Sequence, residues 1–342
     1  MADGRRLLRR GLRAAALAAA ASCAVVLIGG GCRAAHRLRD MDARWLPALL
    51  VLSGLPWAFS GMRMKLLASR LGRRLPWTRC TRAAMCAEFG LAATPAGIGG
   101  PALRTAMLGR LGLRYGDAAA VVLFDAATDL ALACILTPLA LRATLNFVRL
   151  QAPSRPTDPR WYVAAGALVV VLILTALVVR RLRRLGRLPV LRRAPWYARA
   201  RTQLHRMRIA MAIFWRRGHW TLLLNMLLAA GQWACRYSIL PLICVAFGLR
   251  PPVAPLMFLQ MVVLALGMFL IVPGGVGGVE ALMMAALSVR IPAASAGAIL
   301  LVWRFFTYHV NLLGGALALF SALRAETPAR GRTAGPPDGP AA

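Results

Sequence analysis

Acidic residues are scarce in this chain: 11 Asp and Glu stand against 43 Lys and Arg in 342 residues, a formal charge of +32. Such a balance can mark a nucleic-acid partner, but here the arginines form short runs between apolar stretches of about 20 residues, and no nucleic-acid module is recognisable. That pattern is the positive-inside distribution of a membrane protein, and no nucleic-acid partner is expected. Histidine is rarer still, and His36, His205, His219 and His309 lack metal-ligand spacing. The seven cysteines (Cys23, Cys32, Cys80, Cys86, Cys134, Cys235, Cys244) contain no C-x-x-C pair and fall mostly within apolar segments, where Cys acts as a small hydrophobe. No metal, no cofactor and no cysteine chemistry is expected.

Apolar residues are abundant. They make up 59% of the chain, with a mean hydropathy of +0.62, more apolar surface than a soluble core of this length buries. Apolar stretches fall at about 14–31, 45–61, 83–103, 117–141, 161–179, 219–247, 253–289 and 293–322, bounded by Arg, Pro or Trp. The first follows Arg5, Arg6, Arg9, Arg10 and Arg13 and ends at Gly29-Gly30-Gly31 before Cys32; it reads as a retained anchor rather than a cleaved signal.

Two of the stretches are interrupted. Residues 83–103 are broken at Thr94-Pro95-Ala96-Gly97-Ile98-Gly99-Gly100-Pro101, and residues 253–289 at Pro273-Gly274-Gly275-Val276-Gly277-Gly278, runs that no continuous helix tolerates. The basic loops set their topology. Arg63, Lys65, Arg70, Arg73, Arg74, Arg79 and Arg82 mark one loop as cytoplasmic, and thirteen arginines between 180 and 217 mark another. Three full crossings between them would put these loops on opposite sides, so the first broken segment is expected to dip in and return as a re-entrant hairpin. The same parity makes 253–289 a second hairpin from the opposite side. The fold class expected is therefore all-α: about six spanning helices plus two re-entrant hairpins in an integral membrane domain over 1–322, with a disordered cytoplasmic tail over 323–342. Both termini are then cytoplasmic.

A shift of 178 positions overlays the two broken motifs without a gap, Pro95 on Pro273, Gly97 on Gly275, Gly99 on Gly277 and Gly100 on Gly278. It also sets Ala118 on Ala296, Ala120 on Ala298, Val121 on Ile299 and Leu123 on Leu301. Units of about 45–141 and 219–322, with hairpins entering from opposite sides, form an inverted repeat of the kind that places transporter sites near mid-depth.

Charges inside apolar segments cost roughly 2.5–3.5 kcal/mol each on insertion scales and persist where they face a partner or a polar cavity. Glu88, Arg104, Asp125, Asp129, Arg236, Glu280 and Arg304 are those residues here, and they either pair with one another or surround one cavity. Asp125 is as well suited to a salt bridge with Arg104 as to a cavity role. Glycines at the two tips are expected to leave backbone N–H groups unpaired, which suits a phosphate, with Arg104 and Arg304 supplying charge. Arg304, Thr307 and Tyr308 form a basic and hydroxyl-bearing stripe. Trp196, Tyr197, Phe214 and Trp215 within the basic 180–217 segment are consistent with an interfacial helix on anionic lipid or an ordinary cytoplasmic loop.

These motifs resemble the flippase-like membrane region of lysylphosphatidylglycerol synthases and their stand-alone relatives, over roughly residues 45–322. The family's first hairpin, T-P-x-x-x-G-E-x-x-R, is matched by Thr94, Pro95, Gly100 and Arg104, with Pro101 in the acidic slot. Its next helix, E-R-x-x-D, keeps Asp125 and Asp129, with Ala126 replacing the Arg. The second hairpin, P-G-G-x-G-x-x-E, is matched by Pro273, Gly274, Gly275, Gly277 and Glu280, and the last helix by Trp303, Arg304, Thr307 and Tyr308.

The resemblance implies movement of a phospholipid or lipid-linked intermediate between leaflets of the bacterial inner membrane, with no lysyl transfer. Membrane lipids are the expected partners, either anionic phospholipid or a lipid-linked saccharide. Two further readings are a polyprenyl-phosphate glycosyltransferase using Asp40 and Asp42, and a scaffold that assists a lipid or glycan biosynthetic enzyme. The expectation is of a transporter, not an enzyme.

Overall fold

The computed structural model describes residues 20, 24, 32–151, 195–216, 219–267, 272–289 and 291–324, all-helical with short turns between. The expected spans at 14–31 and 161–179, the arginines of 180–194 and the tail beyond 324 lie outside the described residues.

Eleven helices are described: α1 (Cys32–Arg37), α2 (Leu46–Arg70), α3 (Trp77–Ala93), α4 (Gly99–Arg110), α5 (Tyr115–Gln151), α6 (Pro195–Arg216), α7 (His219–Ala246), α8 (Val253–Gly267), α9 (Gly278–Ser288), α10 (Ala293–Arg304) and α11 (Val310–Arg324). A π turn, Phe305–His309, joins the last two. Four stretches are long and apolar enough to cross a membrane: Ala43–Arg70, Tyr115–Thr144, His219–Ala246 and Ala293–Arg324. They coincide with four of the six expected spans.

Between them stand two pairs of short helices. At about 1.5 Å per residue, α3, α4 and α9 measure from about 16 to 26 Å, short of the ~30 Å of a bilayer core. Each pair folds back around a three-residue 3₁₀ turn, Pro95–Gly97 in the first and Pro273–Gly275 in the second. Left-handed backbone makes both turns possible: Ala96 (φ 52°) and Gly97 (φ 67°) in one, Gly274 (φ 65°) and Gly275 (φ 63°) in the other. The 178-position shift seen in sequence thus carries one pair of left-handed residues onto the other. Among the described residues Ala96 alone is a non-glycine in this region, a conformation that costs roughly 1–2 kcal/mol for an L-residue.

Each hairpin is clipped by a side chain. The Thr94 hydroxyl donates to the Gly90 carbonyl (2.7 Å) and accepts from the Gly99 amide (2.8 Å), tying the end of α3 to the start of α4. In the second hairpin Glu280 accepts from the Gly277 amide (2.8 Å). Small residues bring the first pair together, since a Cβ on Gly90 would collide with the Gly99 carbonyl.

The order long helix, hairpin, long helix occurs twice, and contacts between the two sets are reciprocal. The first long helices, α2 and α7, pack on each other; α5 of the first set packs on α8, and α11 of the second on α3. The two 3₁₀ turns also touch. Gly315 on α11 lets the backbone of α3 approach at Met85 and Phe89, and Gly314 opens the groove that admits the Trp57 ring.

Two sequence expectations change here. The helix expected to stop at 61 runs on to Arg70, so Arg63 is fully buried rather than part of a cytoplasmic loop. The segment from Pro195 is a 22-residue helix whose Phe214 is buried, its ring 4.9 Å from that of Phe124 on α5. Phe214 is a packing residue, not an interfacial one.

Candidate functional site

The two hairpin tips enclose a cavity of about 420 Å³. Its wall takes Ala96 and Gly97 from the first tip, Gly274 and Gly275 from the second, and Glu88, Asp129, Arg236, Arg304, Thr307 and Tyr308 from the surrounding helices. Leu91, Leu132, Leu136, Met261 and Leu264 supply apolar surface. Residues nearly 220 positions apart in sequence, Glu88 and Tyr308 among them, therefore share one chamber.

Among the described residues, four arginines and four acids form ion pairs on the cavity wall or behind it. Arg236 on α7 meets Glu88 on α3 at 2.6 Å, and both side chains are 18% exposed. Arg304 at the end of α10 meets Glu280 on α9 at 2.8 Å, with both nearly inaccessible. Glu280 serves two purposes, pairing Arg304 with one oxygen and capping Gly277 with the other. The Nη2 of Arg304 is buried without a hydrogen-bond partner among the described residues, and its guanidinium lies over the rings of Trp303 and Tyr308.

The third group is deeper. Arg63 Nη2 lies 2.6 Å from Asp125 and 2.8 Å from Asp129, while its Nε donates to Asn225 (3.3 Å) and its Nη1 to Gln232 (3.0 Å). Asn225 in turn donates to Thr128 (3.0 Å). Arg104 Nη2 meets the other oxygen of Asp125 at 2.6 Å and donates to Ser60 (2.9 Å). Spacing of four along α5 turns Asp125 and Asp129 to one face, and Asp129 reaches the cavity, 26% exposed, where Trp233 donates to it (3.2 Å).

The sequence-derived residues are thus divided. Glu88, Asp129, Arg236, Arg304, Thr307, Tyr308, Gly97, Gly274 and Gly275 line the cavity. Pro95, Gly99, Gly100, Pro273, Gly277 and Gly278 form or flank the tips behind its wall, with Glu280 holding Arg304. Arg104 does not reach the cavity wall, because Asp125 and Ser60 hold it between α4 and α2. The free amides expected at the tips are also largely engaged: Gly97 bonds Thr94 O, Gly275 bonds Val272 O, and Gly99 and Gly277 are capped by side chains. Guanidinium groups, rather than a backbone cradle, therefore dominate the positive charge.

Sequence reasoning missed Arg63, together with Asn225, Gln232 and Thr128. A signal existed. Asn225 and Gln232 are seven residues apart in an apolar span, hence on one helix face, and polar side chains there require a buried partner. The residues Asp40 and Asp42 have local roles: Asp40 pairs with Arg37 at 2.9 Å, and Asp42 accepts from the Arg44 amide (3.0 Å).

Over residues 13–315 the chain matches the family described as the lysylphosphatidylglycerol synthase TM region. It belongs to that family. A similar protein is a UPF0104 membrane protein of Archaeoglobus fulgidus, 23% identical over 295 residues that cover 81% of this chain and 87% of the archaeal one. Membership and the four apolar spans make this a multi-pass membrane protein. Within this member of the family, the matched region includes both hairpins, the cavity and every charged pair around it.

Proposed function

We propose that this protein moves the phosphate-bearing head group of a membrane lipid, a phospholipid or lipid-linked intermediate, across the inner membrane through the cavity between the two hairpin tips. One observation carries the reading: two hairpins broken at Pro-x-Gly turns converge on a single chamber walled by apolar side chains and by Arg236 and Arg304. Broken helices at depth are tolerated where they are buried in protein or line a cavity, and intramembrane charge is a functional marker. The paired guanidinium groups suit a phosphate, and the apolar wall beside them suits acyl or prenyl chain.

In this reading the hairpins are re-entrant, dipping from opposite leaflets, and the two units form an inverted repeat about an axis in the membrane plane. Reciprocal packing of α2 on α7, of α5 on α8 and of α11 on α3 supports it, because a two-fold relation makes each contact occur in equivalent pairs. With both termini cytoplasmic, the chamber opens alternately to either side. The activity is transport without covalent chemistry. Neither the glycosyltransferase nor the scaffold reading gains a specific observation among the described residues.

Reconstitution in liposomes tests the proposal. Purified protein should accelerate reduction of inner-leaflet fluorescent phospholipid by external dithionite, and Arg236→Ala or Arg304→Ala should lower that rate at least tenfold, the scale of losing one charge-assisted phosphate contact. Equal rates in protein-free and protein-containing vesicles would end the transport reading.

A further inference from the structure

We infer that an anionic head group enters this cavity together with one proton, and that Glu88 is the group that takes the proton up. The inference rests on the head-group reading above. Its starting point is a charge balance: among the described residues Arg63, Arg104, Arg236 and Arg304 stand against Glu88, Asp125, Asp129 and Glu280. A phosphodiester brings a further negative charge to a wall on which, among the described residues, Glu88 and Asp129 already balance Arg236 and Arg304. Buried groups respond to such an imbalance by changing protonation, because an uncompensated charge in a low dielectric is costly.

The pair that yields is identified by its surroundings. Glu280 is 1% exposed, engaged both by Arg304 and by the Gly277 amide, so it is held in place. Asp129 is held by Arg63 and Trp233, and Asp125 by Arg63 and Arg104. Glu88 has Arg236 as its only partner among the described residues, and this pair alone has both members on the cavity wall. It also joins α3 of the first unit to α7 of the second, the two sets of helices that an alternating chamber must separate.

The exchange conserves charge. Arg236 leaves the Glu88 carboxylate for a phosphate oxygen, and Glu88 accepts a proton from water in the cavity, becoming a neutral carboxylic acid; no other covalent bond changes. When the head group departs, the pair re-forms and the proton returns to water. Departure on the opposite side moves one proton with each lipid, so a transmembrane pH difference drives transport. The other ionisable groups on the cavity wall are Asp129 on α5, Tyr237 on α7, and Arg304 and Tyr308 on the last span. From the elements packed on α3, α2 contributes Arg63 and α4 contributes Arg104, both committed to Asp125, while α11 presents the neutral Asn311. A zwitterionic head group carries its own cation for Glu88 and needs no proton.

Binding of monomeric dihexanoyl phosphatidylglycerol to the full-length protein in nonionic detergent, titrated across pH, reads the coupling directly. Uptake of one proton makes the association constant fall roughly tenfold per pH unit as pH rises, wherever Glu88 is ionised in the free protein. Calorimetry in two buffers of different ionisation enthalpy should count the same proton in the wild type, without recourse to any variant. Dihexanoyl phosphatidylcholine should bind with no pH slope, and Glu88→Gln should bind phosphatidylglycerol with none. Phosphatidylglycerol binding that ignores pH in the wild type, or a slope that persists in Glu88→Gln, overturns the inference and leaves the transport reading intact. Failure of both lipids to bind overturns the two together.

Discussion

The two hairpins share a backbone and differ in charge. Each breaks at a Pro-x-Gly turn with two successive left-handed residues, and each sends its second helix against the long helix that follows. In the first hairpin that helix carries the base, Arg104, and the long helix the acid, Asp125; in the second it carries the acid, Glu280, and the long helix the base, Arg304. Repetition of the backbone therefore comes with inversion of charge, and the charges on the chamber wall among the described residues, Glu88 and Asp129 against Arg236 and Arg304, balance. A site made of two like-charged halves would hold an anion permanently; a balanced one binds only by exchange, which suits release as well as capture.

Breaking this comparison at its most buried point should have the largest effect. Arg63 serves both acids of α5, and Arg63→Ala leaves Asp125 and Asp129 facing each other without it, with Asn225 Oδ1 and Gln232 Oε1 deprived of its hydrogen bonds. A loss of about 3–5 kcal/mol is expected, seen as a large drop in thermal midpoint in detergent. Adding Asp129→Asn to that variant should recover part of the loss, and no recovery would show that the charge imbalance is not its cause.

The turns themselves give the next contrast. Gly274 adopts φ 65° with the ring of Tyr308 pressed on it, so Gly274→Ala brings both backbone strain and a collision. Destabilisation of about 2 kcal/mol is expected, together with loss of the contact between Tyr308 and the Ala92 carbonyl (3.4 Å). At the equivalent position of the first turn the change runs the other way. Ala96→Gly removes strain at φ 52° and should stabilise by about 0.5 kcal/mol once the extra chain entropy of glycine is subtracted. Thermal midpoints of the two variants moving in the same direction would contradict the equivalence of the turns.

Much of this architecture is legible in the sequence. Spans at 45–61, 117–141, 219–247 and 293–322 follow from runs of apolar side chains, and the broken segments follow from Pro and Gly, whose backbone preferences act locally. The overlay of Pro95 on Pro273 and Gly97 on Gly275 pointed to equivalent turns for the same reason. Local rules failed at Arg63. Seven residues from the end of its helix and beside Lys65, it has the sequence context of a loop marker, and only the approach of α5 and α7 makes it a buried ligand of two carboxylates. They failed also at the tip amides, where the decisive acceptors are side chains: Thr94, five residues from Gly99, and Glu280, three from Gly277.

By itself the sequence determined that the chain enters a membrane as helices and where those helices break, because hydropathy and Pro and Gly chemistry act within a few residues. Tertiary structure decided who pairs with whom. Glu88 finds Arg236 across 148 positions, and Arg63 finds Gln232 across 169, because helix packing and not chain proximity brings their side chains within reach. Whether a buried charge is silent or available to a ligand depends on how many partners hold it and whether it faces the cavity, and both are properties of the assembled bundle.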